Sequence, residues 1–182
     1  MRILAFVLEV VFQLLVGAAL LRAYMNSLRV NMQMQPGLFV MALTDWIVKP
    51  LRRWLPQALV RARIDGASVV AALLLAGLYA VLWGSLVGAL YGGAAMQVAA
   101  PGLLGLALGF LVRVALQTLS LLVLGYVLVS WLQPGSFLLG MLARLVEPVL
   151  GPLRRVVPVL GGVDLSPMVL LLLLQVGVML LG

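Results

Sequence analysis

Apolar residues run almost unbroken through four stretches of this chain, approximately Ile3 to Leu21, Gly66 to Leu90, Gly102 to Leu132 and Leu165 to Leu181. A hydrocarbon core of roughly 30 Å takes about 20 helical residues. None of the four stretches alternates as the strands of a transmembrane barrel do, and helices then satisfy the backbone in lipid. The pattern predicts an all-α integral membrane protein with four transmembrane helices. Two further apolar segments, Leu38 to Val48 and Phe137 to Val146, are too short to span and read as interfacial or re-entrant helices.

The polar positions between these stretches repeat. Lys49-Pro50-Leu51-Arg52-Arg53-Trp54-Leu55-Pro56 aligns without gaps on Gly151-Pro152-Leu153-Arg154-Arg155-Val156-Val157-Pro158, with Asp45 on Glu147. Pro36-Gly37 matches Pro134-Gly135, and Asp65 matches Asp164, with small shifts in spacing. The expected organisation is two repeats, 1–92 and 101–182, each with two transmembrane helices flanking a short segment and a Pro-Leu-Arg-Arg element. The linkers 23–65 and 133–164 hold most of the basic residues, whereas the turn around 91–101 holds no charge. The positive-inside rule then places both basic linkers in the cytoplasm and both chain ends outside, so that the repeats are parallel.

Composition narrows the chemistry. The chain has 182 residues, 9% of them charged, and a mean hydropathy of +1.24. It contains neither cysteine nor histidine, which excludes disulfides, thiolate nucleophiles and the usual zinc and haem ligands. The five acids, Glu9, Asp45, Asp65, Glu147 and Asp164, lie apart. No catalytic, metal or cofactor site is expected, and the chain reads as a non-enzyme. The first apolar run follows Arg2 like a secretory signal, but Glu9 interrupts it and Arg22 ends it as in a retained helix. The high isoelectric point comes from few charges on an apolar chain, which speaks for topology and against nucleic-acid binding.

Three groups of residues carry the functional expectations. Arg52, Arg53, Arg154 and Arg155 stand between prolines, whose missing N–H groups disfavour a long regular helix across either element. Such irregular backbone belongs at the interface or under protein. There the arginines serve as anchors on anionic headgroups, or as a docking surface for acidic or phosphate groups of a partner, since the guanidinium fork grips both in two-point fashion. Inside the membrane, Glu9 and Gln13 on the first helix correspond to Arg113 and Gln117 on the third under a shift of 104 residues. They form a neutral structural pair or line a polar path. Finally, the ladders Gly84-xxx-Gly88-xxx-Gly92 and Gly105-xxx-Gly109 predict close packing of the second and third helices. Ser166 is expected as an N-cap with Pro167 in the first helical position.

The doubled Pro-Leu-Arg-Arg element, followed in the second copy by Gly161-Gly162-Val163-Asp164-Leu165-Ser166-Pro167-Met168, resembles the YggT family, also called YlmG. The resemblance covers both repeats. The first copy departs from it, with Trp46 where the second has Pro148. The resemblance implies a two-repeat membrane protein of the bacterial inner membrane or the thylakoid without known catalysis. It also implies association with osmotic stress and potassium balance, with cell division and envelope organisation, and in plastids with cytochrome assembly and nucleoid arrangement. The leading expectation is therefore a membrane scaffold or assembly factor that docks a membrane protein complex or anionic lipid. The alternative is ion or small-solute transport, which with so few helices calls for a homo-oligomer.

Overall fold

A computed structural model describes residues 2–30, 32, 34, 36–56, 65–91, 100–157 and 164–181. All regular structure among them is helical: α1 Arg2–Ser27, α2 Gly37–Trp54, α3 Gly66–Tyr91, α4 Ala100–Leu132, α5 Phe137–Arg154 and α6 Ser166–Leu181. Three helices, α1, α3 and α4, are long and apolar enough to cross a membrane. The fourth stretch forms α6, whose 16 residues rise about 24 Å, less than the roughly 30 Å of a hydrocarbon core. By its contacts the chain divides into two compact units, Met1–Val114 and Ala115–Gly182, with α4 running from one into the other.

In the first unit, α1 and α3 form the most extensive helix pair, and α2 packs against both. Alanine makes the close approach possible. Ser68, Ala72, Ala76 and Ala80 fall every four residues on one face of α3 and are all buried, opposite buried Val16 and Ala19 of α1. Bulk collects further along: Tyr79 stacks on Phe110 of α4 with ring centroids 3.8 Å apart and lies 5.8 Å from Phe12. In the second unit α5 packs on α6, burying Leu145, Val146 and Leu150 beside Pro167, Leu170 and Leu174.

The two 18-residue helices differ from the others in being amphipathic. In α2 the buried positions Gly37, Val40, Thr44 and Val48 follow one helical face, and in α5 Met141, Leu142, Leu145, Val146 and Leu150 do the same. Both helices continue through the prolines at which the sequence predicts irregular backbone. Pro50 lies four residues from the end of α2, and Pro148 and Pro152 lie in the last two turns of α5, all on the exposed side. So few backbone bonds are lost there that packing of the buried face outweighs them. In α2 the stop comes with Leu55, held extended by the following Pro56.

The two Pro-Gly turns need glycine for different reasons. A Cβ on Gly37 would lie 2.7 Å from Met32 Cα, whereas Gly135 has φ +84°. The end of α1 places a non-glycine in that left-handed region. Arg29 has φ +52° at the C′ position of a Schellman motif, in which Val30 N–H donates to Met25 O and Arg29 N–H to Asn26 O, both at 3.0 Å.

Candidate functional site

Each Pro-Leu-Arg-Arg element ends its amphipathic helix, and in both the first arginine turns onto the aspartate that precedes the next helix. Arg52 Nη2 donates to Asp65 Oδ2 at 2.6 Å, and Ser68 Oγ donates to the same oxygen at 2.7 Å. Asp65 is 1% exposed, so this ion pair fixes the end of α2 to the start of α3 around a buried carboxylate. Arg154 engages all three guanidinium nitrogens. Nε donates to Asp164 Oδ2 at 2.8 Å, Nη1 to Glu147 Oε2 at 2.8 Å and Nη2 to the Tyr126 hydroxyl at 3.1 Å. Asp164 also accepts from the Ser166 backbone N–H at 2.9 Å. Asp164, then, caps α6 from two residues upstream, and Ser166, read from the sequence as the cap, is already inside the helix.

The acids in mid-helix behave differently. Asp45 accepts from Lys49 one turn on, at 2.7 Å, and from Arg22 of α1 at 2.8 Å, while Arg22 also donates to Thr44 Oγ1 at 2.7 Å. Lys49 holds Asp45 below the usual carboxylate range against the opposing effect of burial, and Arg22 adds to the lowering. Glu147 instead reaches forward to Arg154. The residue aligned with Lys49 is Gly151, where an added Cβ would lie 3.2 Å from Glu147 Oε1. For Asp164, burial pushes the carboxyl upward, and its bonds from Ser166 and Arg154 outweigh that, leaving it below its ordinary value.

The second arginine of each pair points away. Arg53 and Arg155 are exposed and have no hydrogen-bond or ion-pair partner among the described residues. The side chains that follow them, Trp54 and Val156, are 88% and 82% exposed. Sequence alignment pairs the arginines without distinguishing first from second; the signal that does so is the aspartate at the start of the next helix, which only the first can reach.

Of the other predicted residues, Glu9 and Arg113 are half-buried in the first unit. No ion pair joins them among the described residues. Gln13 and Gln117 both engage partners. At Gly84 an added Cβ would lie 3.4 Å from Leu103 Cδ2. Gly88 is buried. A Cβ at Gly105 or Gly109 would meet nothing within 4 Å among the described residues. Gly92, Arg61, Arg63, Pro158, Gly161 and Gly162 lie outside the described residues. Among the described residues no group of three or more acids could hold a metal ion.

Three long apolar helices, and two amphipathic helices that end in ion-paired arginines, define an all-helical protein of the membrane-spanning class. The CCB3/YggT family profile matches residues 1–86 and 105–182, and the chain belongs to that family. It is 34% identical over 181 residues to the "Uncharacterized protein YggT" of Escherichia coli K12, covering 97% of this chain and 87% of the relative. It is 30% identical over 190 residues to an "Uncharacterized protein in proC 3'region" of Vibrio alginolyticus, covering 100% of this chain and 95% of the relative. A relative from Haemophilus influenzae is 31% identical over 156 residues, 85% of this chain and 78% of its own. No solved structure matches.

Proposed function

We propose that this chain is a non-enzymatic, multi-pass membrane scaffold or assembly factor that docks a membrane protein complex and anionic lipid through its arginine elements, at Arg53 and Arg155. The observation that carries this reading is the division of labour within each pair. Arg52 and Arg154 are consumed by intrachain ion pairs, while their neighbours stand exposed and without partners among the described residues. An exposed arginine at the end of a latched helix keeps its five donors for an outside acid or phosphate, at little orientational cost. Two parallel repeats, 1–92 and 101–182, are the organisation we assign, supported by the two separate family matches and the aligned Arg–Asp pairs. In this reading α6 is a fourth crossing helix in a thinned or locally matched bilayer. The protein then sits in the bacterial inner membrane with its basic linkers cytoplasmic and both ends outside. Cell division and envelope organisation are the processes such a scaffold would serve.

The test is photo-crosslinking in native membranes from probes at positions 54 and 156. A discrete protein product that disappears with Arg53→Gln or Arg155→Gln, in chains that still insert, supports docking. Absence of any protein product from both probes overturns it.

A second reading, ion or small-solute transport linked to osmotic or potassium balance, rests on Glu9 and Arg113. Opposite charges half-buried in apolar helices without an ion pair between them are the groups a polar path would use, together with Gln13 and Gln117. It requires a homo-oligomer to supply enough helices. Flux into liposomes that is unchanged by Glu9→Gln and Arg113→Gln would remove it.

A further inference from the structure

The outward faces of the two amphipathic helices are not alike. On α2, Trp46, Lys49, Pro50, Arg53 and Trp54 succeed one another at spacings of three, one, three and one, which aligns them along a single face, and all five are exposed. Trp46, Ile47, Pro50, Leu51 and Trp54 line an open groove of about 400 Å³ that is almost wholly apolar. At its edge stand two cations. Lys49 gives Asp45 one of its donors and keeps others, and Arg53 has no partner among the described residues. The aligned positions at the end of α5 and just past it are Pro148, Gly151, Pro152, Arg155 and Val156, which carry one cation and no aromatic ring.

We infer that the α2 face is a binding site for one anionic phospholipid, its phosphate on Arg53 and Lys49 and its glycerol and upper acyl carbons in the groove between Trp46 and Trp54. This rests on the reading of α2 as a helix at the headgroup layer, and it assigns the two elements different partners: lipid at the first, protein at the second. Three features converge on that occupant. The cations match a phosphate rather than a neutral surface. The indoles are the side chains that settle where apolar tails meet headgroups. A groove with scarcely any polar lining offers an acyl segment contact and a peptide backbone no hydrogen bonds.

The test uses the full chain carrying Trp46→Phe, Trp83→Phe and Trp131→Phe, so that Trp54 is the remaining tryptophan. It is reconstituted in phosphatidylcholine vesicles containing brominated phosphatidylglycerol or the same amount of brominated phosphatidylcholine. Bromines quench an indole they touch. The expected result is stronger quenching by the anionic lipid. That preference falls about fivefold with Arg53→Gln, as a charge near an anionic surface implies. It is retained with Arg53→Lys and unchanged by Arg155→Gln, which removes the same charge from the second element. Equal quenching by both lipids overturns the site. So does an equal effect of Arg53→Gln and Arg155→Gln, which would mean the field of the whole chain is read. Trp54 unquenched by either lipid means that the groove lies away from the bilayer, which defeats the lipid assignment and leaves the scaffold reading to the probe at position 156.

Discussion

The two arginine elements align residue for residue, yet they solve the same mechanical problem with different charge geometry. At the first, one arginine meets one buried aspartate, and the mid-helix acid is occupied elsewhere by Lys49 and Arg22. At the second, one arginine gathers an aspartate, a glutamate and a tyrosine hydroxyl at a partly exposed position. A buried pair with few members and an exposed cluster with many respond differently to loss of the arginine, because desolvation sets the cost in the first and solvent screening limits it in the second.

That difference can be broken most directly by removing each arginine. Arg52→Ala leaves the Asp65 carboxylate buried with Ser68 alone donating to it among the described groups, and should destabilise the protein by about 3 kcal/mol. Arg154→Ala should cost only about 1 kcal/mol, because its acids are open to water. Unfolding by denaturant in mixed micelles measures both, and equal losses would erase the distinction. The Pro-Gly turns sharpen it next. Gly37→Ala forces backbone apart at Met32, and should cost about 2 kcal/mol or more; Gly135→Ala meets only the left-handed penalty of about 1 kcal/mol. The same assay should show Arg29→Gly to be stabilising by about 1 kcal/mol, since glycine relieves the strained C′ position of the Schellman motif.

The smallest effect is on acid stability. Asp45 and Asp164 are both held below their ordinary values, so what they contribute is fully present above the unfolded carboxylate pKa of about 3.9. It is lost as pH falls through their lowered folded values. Titrating stability from pH 6 downward should show a decline below about pH 4 that Asp45→Asn flattens for the first element and Asp164→Asn for the second.

The class of fold was legible because long apolar runs leave the backbone no other choice than helix. The limits of α2 and α5 were not, since prolines signal a break and the packing of Val48 or Leu150 that overrides them is a tertiary effect. The tight contact between α1 and α3 was equally hidden. Glycines stand out in an apolar segment and draw the eye to Gly84 and Gly105, whereas Ala72, Ala76 and Ala80 have no contrast with their neighbours. For the candidate site, alignment brought each arginine pair beside its aspartate in register. It could not say which arginine turns inward, because adjacent residues on a helix differ by roughly 100° in direction and only the placement of the next helix selects between them.

Position 151 acts as a railway switch. With no side chain there, the Glu147 carboxylate swings forward two turns and joins the helix end; with lysine at the aligned position 49, Asp45 is captured after one turn and never reaches Arg52. The mid-helix acid therefore belongs to the terminal arginine in one element, and to its own helix and α1 in the other.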